Sequence, residues 1–132
     1  MKPLGYLLDT SVCVPILRGR SSLQTLPDRE ETTVSSVVAA ELWAGANKSD
    51  LRHGQFELVE EFLTIFGVLD FSESAARHYG EIRADLEKKG TSIGPLDLLI
   101  AAHARSLEAT LITANVKEFR RVKGLKILAW KG

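Results

Sequence analysis

The sequence predicts an α/β fold, a three-layer α/β/α sandwich with a central parallel sheet of about five strands. Short apolar segments alternate along the chain with longer amphipathic ones, a pattern typical of strand–helix units joined by parallel crossovers. The short segments are apolar without strict alternation, which indicates a sheet covered on both faces. The 132 residues, 45% of them hydrophobic, suffice for one core, so we expect residues 1–132 to form a single domain.

The strand candidates are short and buried in character, and the first of them ends in an acid. In chain order they are Tyr6–Asp9, Thr32–Ser35, Gly67–Asp70, Leu111–Thr113 and Lys126–Ala129.

The helix candidates carry end signals or a helical repeat of apolar residues. Pro15 is expected in the first turns of the first helix, where proline is least harmful. Ser35 or Ser36 caps the second helix and Ser72 the fourth, which Gly90 ends. The third has apolar residues at helical spacing, and the fifth begins at a proline. The predicted helices are Thr10–Arg18, Val37–Asn47, Leu51–Phe66, Ser72–Lys88 and Pro95–Leu107.

Bulk properties exclude several classes of protein. A formal net charge of zero argues against a protein that coats nucleic acid by bulk charge alone. From Val116 to Gly132, however, six bases face one acid, an excess of +5 that leaves −5 elsewhere. That segment is either a solvated surface or a patch that contacts phosphates. No apolar run is long enough for a bilayer span or a signal peptide, and a single cysteine forms no intramolecular disulfide, so we expect a cytoplasmic protein.

Three acids lie in unusually apolar surroundings. Asp9 ends the first strand, Glu41 lies on a helix of small apolar residues, and Asp97 precedes Leu-Leu-Ile-Ala-Ala. Each has a structural alternative: a helix cap for Asp9, a helix rotated toward water for Glu41, and a favourable first-turn charge for Asp97. Asn115, after the fourth strand, is similarly either a turn residue or part of a site.

The group of acids is more informative than its members. Each lies at or just beyond the expected carboxyl end of a strand, and a parallel sheet brings those ends into one crevice. Three carboxylates in one pocket stay ionised together when a cation lies between them. Oxygen ligands alone favour Mg²⁺ or Mn²⁺ over zinc. The sequence therefore predicts a metal site formed by Asp9, Glu41 and Asp97.

Other chemistries have weaker support. Cys13 has no histidine partner in sight and is expected to be buried and inert. The three histidines show no metal spacing, and no glycine-rich nucleotide-binding loop is present.

Four segments of the chain resemble the VapC-type toxins of the PIN-domain ribonuclease family. They are YLLDTS (6–11), SVVAAELWAGA (36–46), IGPLDLLIAAHA (93–104) and LITANVKEF (111–119), the last followed by RVKGLKI (121–127). The resemblance covers essentially the whole chain, with the four segments in the family's order.

The resemblance implies a parallel sheet of about five strands and a Mg²⁺- or Mn²⁺-dependent endoribonuclease, often specific for a structured RNA such as tRNA. Asp9, Glu41 and Asp97 fall on the family's three acidic positions, and Asn115 on a fourth that is often Asp. Ser11 and Thr113 match hydroxyl residues of the motifs. The missing fourth charge leaves open whether one or two ions act.

Further implications concern supporting residues and partners. Glu118, one turn after Asn115, is the candidate to replace the missing charge. Relatives form homodimers and, in type II toxin–antitoxin systems, hetero-oligomers with a small antitoxin. The first three helices are apolar enough to form a groove for an antitoxin helix, although the same residues could simply pack the core. Candidates for contacts with RNA are Arg18, Arg20, Lys117, Arg120, Arg121 and Lys123.

Three other functions compete with this interpretation. A phosphoaspartate signalling module would use Asp70 with Lys126, but no acidic pair adjoins the first strand. A phosphohydrolase with an aspartyl nucleophile would need a second Asp two residues after Asp9, where Ser11 stands. A catalytically inactive domain that binds RNA or a protein partner is the third, and metal-dependent cleavage would separate it from the enzyme.

Overall fold

Five parallel strands form the central sheet of the computed structural model, which describes residues 5–49 and 52–132 and only the backbone at 52 and 53. The strand order is β3-β2-β1-β4-β5, and every adjacent pair is parallel. The predicted fold class is confirmed. The strands are β1 (Tyr6–Leu8), β2 (Thr32–Ser35), β3 (Val68–Leu69), β4 (Thr110–Thr113) and β5 (Lys126–Ala129).

Helices connect the strands and cover the sheet. They are α1 (Thr10–Leu17), α2 (Ser36–Lys48), α3 (Arg52–Phe66), α4 (Glu73–Lys89), α5 (Pro95–Ser106) and α6 (Val116–Phe119). Two 3₁₀ turns, Leu23–Thr25 and Arg29–Glu31, lie between α1 and β2. None of the helices within the described ranges is long and apolar enough to cross a membrane.

Strand order reverses at β1. The chain moves from β1 outward through β2 to β3, then returns to the other side of β1 with β4 and β5. Open parallel sheets bind ligands outside the carboxyl ends of the strands at such a reversal. Asp9 follows β1 and Asn115 lies just beyond β4, so the fold places both at this crevice.

Most predicted helix boundaries agree with the structure to within two residues. Ser35 Oγ accepts the Val37 N–H at 3.1 Å to cap α2, and Ser72 Oγ accepts the Ala75 N–H at 3.1 Å to cap α4. Gly90 ends α4 with φ of 68°, a conformation that favours glycine. The predicted start of α3 at Leu51 lies outside the described residues.

Pro15 lies in the second turn of α1, within the predicted first turns. It cannot donate a hydrogen bond to the Ser11 carbonyl, and the helix ends two residues later. One local feature differs from the prediction: the helix α6 was not predicted, because four residues are too few to show a helical repeat. Phe119, its last residue, is fully buried and holds α6 against the core.

A buried hydrogen bond joins the layers around β2. His103 on α5 is 1% exposed, and its Nδ1 lies 2.8 Å from Ser35 Oγ. The ring of Phe71 packs edge-on against the imidazole at 5.5 Å between centroids. Burial lowers the pKa of His103, which favours the neutral ring. His103 thus has a structural role, holding the start of α2 against α5.

Candidate active site

Asp9 occupies the position before α1, but its carboxylate does not cap that helix. The side chain is 3% exposed, and Oδ2 accepts hydrogen bonds from Ser11 Oγ at 2.6 Å and Thr113 Oγ1 at 2.8 Å. Oδ1 is buried and has no hydrogen-bond partner among the described residues. A buried carboxylate oxygen without a partner is costly, so this geometry argues against a purely structural role for Asp9.

Backbone amides fix the two hydroxyls that hold Asp9. The Ala114 N–H donates to Ser11 Oγ at 3.0 Å, and the Asn115 N–H donates to Thr113 Oγ1 at 2.9 Å. Each oxygen accepts from the backbone and donates its own proton to Asp9. Ser11 and Thr113 therefore set the orientation of the Asp9 carboxylate.

Glu41 is held beside the same crevice by a residue of α1. Its Oε1 accepts a hydrogen bond from Thr10 Oγ1 at 2.6 Å, and the side chain is half-buried. Sequence reasoning missed Thr10. The available signal was a hydroxyl residue directly after Asp9, at the start of a helix.

Glu118 is a further acid that lies beside Asp97. Glu118 Oε1 accepts the Gly94 N–H at 3.0 Å, and Oε2 accepts from Asn115 Nδ2 at 2.8 Å. A side-chain hydrogen bond also links Asp97 with Glu118. A Cβ at Gly94 would lie 3.5 Å from Asp97 Oδ2, so glycine leaves room beside that oxygen. Asn115 contributes its amide to Glu118 rather than capping α6.

The acidic residues influence one another electrostatically. Burial, and then the negative charges of Asp9, Glu118 and Glu41, raise the pKa of Asp97 to about 7. These carboxylates are therefore close enough to repel each other, as the sequence pattern predicts. The same surroundings, above all burial, raise the pKa of the Cys13 thiol far above its usual range, which disfavours the nucleophilic thiolate.

The carboxylate oxygens of Asp9, Glu41 and Asp97 are ligands that suit a hard divalent cation, although the three side chains do not converge on a single point. Within residues 5–49 and 52–132, no three acidic, histidine or cysteine side chains are placed to hold an ion as they stand. Asp9 Oδ1 nevertheless provides a buried, unpartnered anionic oxygen, and Asp9 and Glu41 both act electrostatically on Asp97. A set of carboxylate oxygens is the kind of ligand set that Mg²⁺ and Mn²⁺ prefer.

The basic candidates lie around the crevice rather than in it. Arg18 lines a groove that also contains Glu41, and Arg20 is exposed nearby in sequence. Lys117, Arg120 and Lys123 are exposed on and after α6. Arg121 donates from Nη1 to the Ser92 carbonyl at 3.1 Å.

The histidines do not converge on the acids. His103 is bonded to Ser35, and His78 Nδ1 accepts a hydrogen bond from Arg105 Nε at 2.8 Å. The side chain of His53 lies outside the described residues.

The phosphoaspartate interpretation fails on topology. Asp70 follows β3, which is an edge strand, whereas that chemistry needs an acceptor on a central strand. Lys126 begins β5 and contacts the Glu108 carbonyl, so it lies at the opposite end of the sheet from the acids.

Comparison with known proteins identifies the family to which the chain belongs. A family model described as PIN domain matches residues 6–125, and the chain belongs to the PIN-domain family. The resemblance to VapC-type toxins predicted from the sequence is confirmed by the relatives.

One relative is Ribonuclease VapC2 of Rickettsia felis, 38% identical over 95% of this chain and 97% of that protein. Another is the tRNA(fMet)-specific endonuclease VapC of Shigella flexneri, 35% identical over 96% of this chain and 98% of that protein. The crystal structure of VapBC2 from Rickettsia felis bound to a promoter DNA fragment is similar, with a TM-score of 0.87 and 38% identity over 96% of this chain and 98% of that one.

Proposed function

We propose that the chain is a metal-dependent endoribonuclease, the toxin of a toxin–antitoxin pair, with Asp9, Glu41 and Asp97 as its acidic cluster. The observation that carries the proposal is the buried, unpartnered Oδ1 of Asp9, on a carboxylate that, with Glu41, lies close enough to Asp97 to raise its pKa. The relatives are named ribonucleases and endonucleases, which supports RNA cleavage as the activity.

Each residue has a distinct task in this mechanism. Asp9 and Asp97 would hold a Mg²⁺ or Mn²⁺ ion, and Ser11 and Thr113 keep Asp9 oriented toward it. When bound, such a cation lowers the pKa of a water and offsets charge on the phosphate. Glu41, whose Oε1 is already held by Thr10, positions the attacking water with its other oxygen.

Asn115 and Glu118 act on the far side of the crevice. Asn115 donates to Glu118, and Glu118 accepts from the Gly94 N–H at the start of α5. These contacts hold a fourth carboxylate beside Asp97 in place of the acid that the resemblance would put at position 115. We propose that Glu118 supports the Asp97 side of the ion site. Whether it holds a second ion is a question for metal stoichiometry.

The substrate class follows from the relatives and from the surface. The Shigella flexneri relative is named as a tRNA(fMet)-specific endonuclease. We propose that this chain cleaves a structured RNA such as tRNA and that it does so in the cytoplasm. The exposed bases Arg18, Arg20, Lys117, Arg120, Arg121 and Lys123 are the proposed phosphate contacts.

The test is incubation of purified, partner-free protein with a pool of small cellular RNAs in Mg²⁺, Mn²⁺ or EDTA. Discrete fragments are expected with either metal and none with EDTA or with Asp97→Asn. Asp70→Asn is the matched control, because Asp70 also follows a strand but is exposed and lies on the edge. Folded protein that leaves all RNAs intact under every condition would instead support an inactive RNA- or partner-binding domain.

The antitoxin partner is proposed to bind a groove between α1, α2 and α3. The groove has a volume of about 400 Å³, and its walls include Val14, Leu42 and Val59, with Glu41 at its margin. VapBC proteins are a family of toxin–antitoxin systems, and a peptide in this groove would reach the acidic cluster. Gly45 lines the groove, so the bulky side chain of Gly45→Trp should block the antitoxin and abolish co-purification. Metal-dependent cleavage should persist in this variant. The homodimer stays a prediction.

A further inference from the structure

A second cleft lies between β5 and the turn that follows α1. It has a volume of about 430 Å³, and its lining includes Thr25, Pro27, Leu128, Trp130 and Lys131. The lining is apolar and aromatic with one cation, and no acid is among its residues in the described chain. Nothing in the proposed mechanism uses this cleft.

Trp130 is held in a fixed orientation at the cleft. Its Nε1 donates to Thr25 Oγ1 at 3.0 Å, and that hydroxyl donates in turn to the Ser22 carbonyl at 2.7 Å. Because the indole N–H is already used, the side chain offers a ligand the part of its aromatic ring that lines the cleft, while the rest packs against the core. A preoriented aromatic ring loses little conformational entropy when a flat ligand stacks on it.

The cleft is connected directly to the acidic cluster. The Trp130 N–H donates to the Thr113 carbonyl at 2.9 Å, and the Thr113 hydroxyl donates to Asp9 Oδ2 at 2.8 Å. Thr113 thus contacts both the backbone of Trp130 and the carboxylate that would hold the ion. This connection makes the cleft a candidate position for a nucleotide next to a phosphate bound at the cluster.

The charge around the cleft suits a polyanion. A Cβ on Gly132 would lie 3.4 Å from Ser21 Oγ, so the chain after Trp130 runs alongside the turn that carries Arg18 and Arg20. Lys131 lines the cleft itself, on a segment that approaches the turn after Arg20, where it can contact a phosphate next to a bound base.

We propose that this cleft, the Trp130 cleft, binds one unpaired RNA base by stacking on Trp130, while the neighbouring phosphate lies at the acidic cluster. The proposal rests on the proposed ribonuclease function and adds how the site selects its substrate. A paired base inside a helix cannot stack on a protein ring, so the cleft favours single-stranded loops and ends. Stacking depends little on base identity, so the cleft selects exposed bases rather than a sequence.

The test uses Trp130 as its own reporter. The chain has two tryptophans, so Trp43→Phe leaves Trp130 as the sole indole, and Asp97→Asn prevents cleavage during the titration. Three probes are compared: a short single-stranded oligoribonucleotide, an abasic ribose-phosphate oligomer of equal length, and an RNA duplex. Quenching of Trp130 fluorescence is expected with the single strand and not with the other two.

Two substitutions test the ring itself. Trp130→Leu should weaken binding of the single strand about 5- to 100-fold, whereas Trp130→Phe should weaken it less. Binding of the abasic oligomer should not change in either variant. Equal quenching by the abasic oligomer, or unchanged affinity in Trp130→Leu, would overturn the proposal. So would a spectral shift of Trp130 caused by a co-purified protein partner but not by RNA, which would assign the cleft to a protein.

Cleavage kinetics separate this proposal from the proposed function. With Asp97 intact, Trp130→Leu should raise KM for single-stranded RNA about 5- to 100-fold with little change in kcat. Cleavage with an unchanged KM would refute the cleft and leave the ribonuclease standing. Quenching by single-stranded RNA without cleavage in any metal would refute the ribonuclease and leave the base-binding cleft. Circular dichroism of Trp130→Leu checks that the fold is kept.

Discussion

Replacing Asp97 by asparagine should stabilise the protein when divalent cations are removed, even though the same change should abolish cleavage. Burial and the charges of Asp9, Glu118 and Glu41 raise the pKa of Asp97 from 3.8 to about 7. The folded state therefore binds this proton more tightly than the unfolded state does. The contribution of the protonated Asp97 carboxyl to stability is fully present below about pH 4. It is lost as the pH rises from there through the folded-state pKa of about 7, because the folded protein destabilises the ionised carboxylate by burial and charge repulsion.

The size of the effect follows from that difference in pKa. A difference of about 3 corresponds to a ceiling of about 4 kcal/mol. Because Asp97 is only half-buried, solvent screening reduces this to about 2 kcal/mol. Roughly a third of the penalty has developed at pH 5, so the advantage of Asp97→Asn should grow by about 1 kcal/mol between pH 5 and pH 8.

Urea denaturation in EDTA at the two pH values measures this difference. Asp70→Asn is again the control and should show no growth with pH. Added Mg²⁺ should then reverse the order at pH 8, because binding to the folded state stabilises the wild type but not Asp97→Asn. An Asp97→Asn protein that is less stable than wild type at pH 8, or whose difference does not change with pH, would refute the electrostatic description of the cluster.

Three further predictions concern residues around the site and the core. Thr113→Val removes a donor to Asp9 and should lower Mg²⁺ affinity and kcat/KM about 10- to 100-fold, by metal titration and RNA cleavage; unchanged values would mean that the hydroxyl does not orient Asp9. Ser35→Ala removes both the α2 cap and the buried partner of His103 and should cost about 1–3 kcal/mol in urea denaturation with cleavage retained; a loss below that range would show that neither contact is needed. Arg120→Gln should reduce the salt dependence of RNA binding by about one charge, and an unchanged slope would remove Arg120 from the RNA surface.

The fold was predictable because local signals and the global pattern agree. Ser35, Ser72 and Gly90 act at the helix ends where their residue types predict, and apolar strands between amphipathic helices predict the parallel sheet. The same pattern predicts that Asp9, Glu41 and Asp97 lie near one crevice, because carboxyl ends of parallel strands share one edge. The electrostatic effect of Asp9 and Glu41 on Asp97 agrees with that prediction, while their role as a metal site stays a prediction.

The details of the site were not predictable because they depend on contacts between distant segments. The hydrogen bond from Thr10 to Glu41 joins residues 31 positions apart, and the bond from Gly94 to Glu118 joins residues 24 apart. The periodic spacing of apolar residues in the sequence does not indicate such long-range contacts. Nor does the sequence indicate that the N–H of Trp130, in a short basic segment, donates to the Thr113 carbonyl.

The most direct test of the acidic cluster is anomalous diffraction from crystals soaked in Mn²⁺. We expect one strong anomalous peak at about 2.1 Å from Asp9 Oδ1, with an oxygen of Asp97 as a second ligand, and no peak there in Asp9→Asn crystals. A Mn²⁺ ion bound elsewhere, or an empty crevice at Mn²⁺ concentrations that support RNA cleavage, would contradict the assignment of Asp9 and Asp97 as metal ligands.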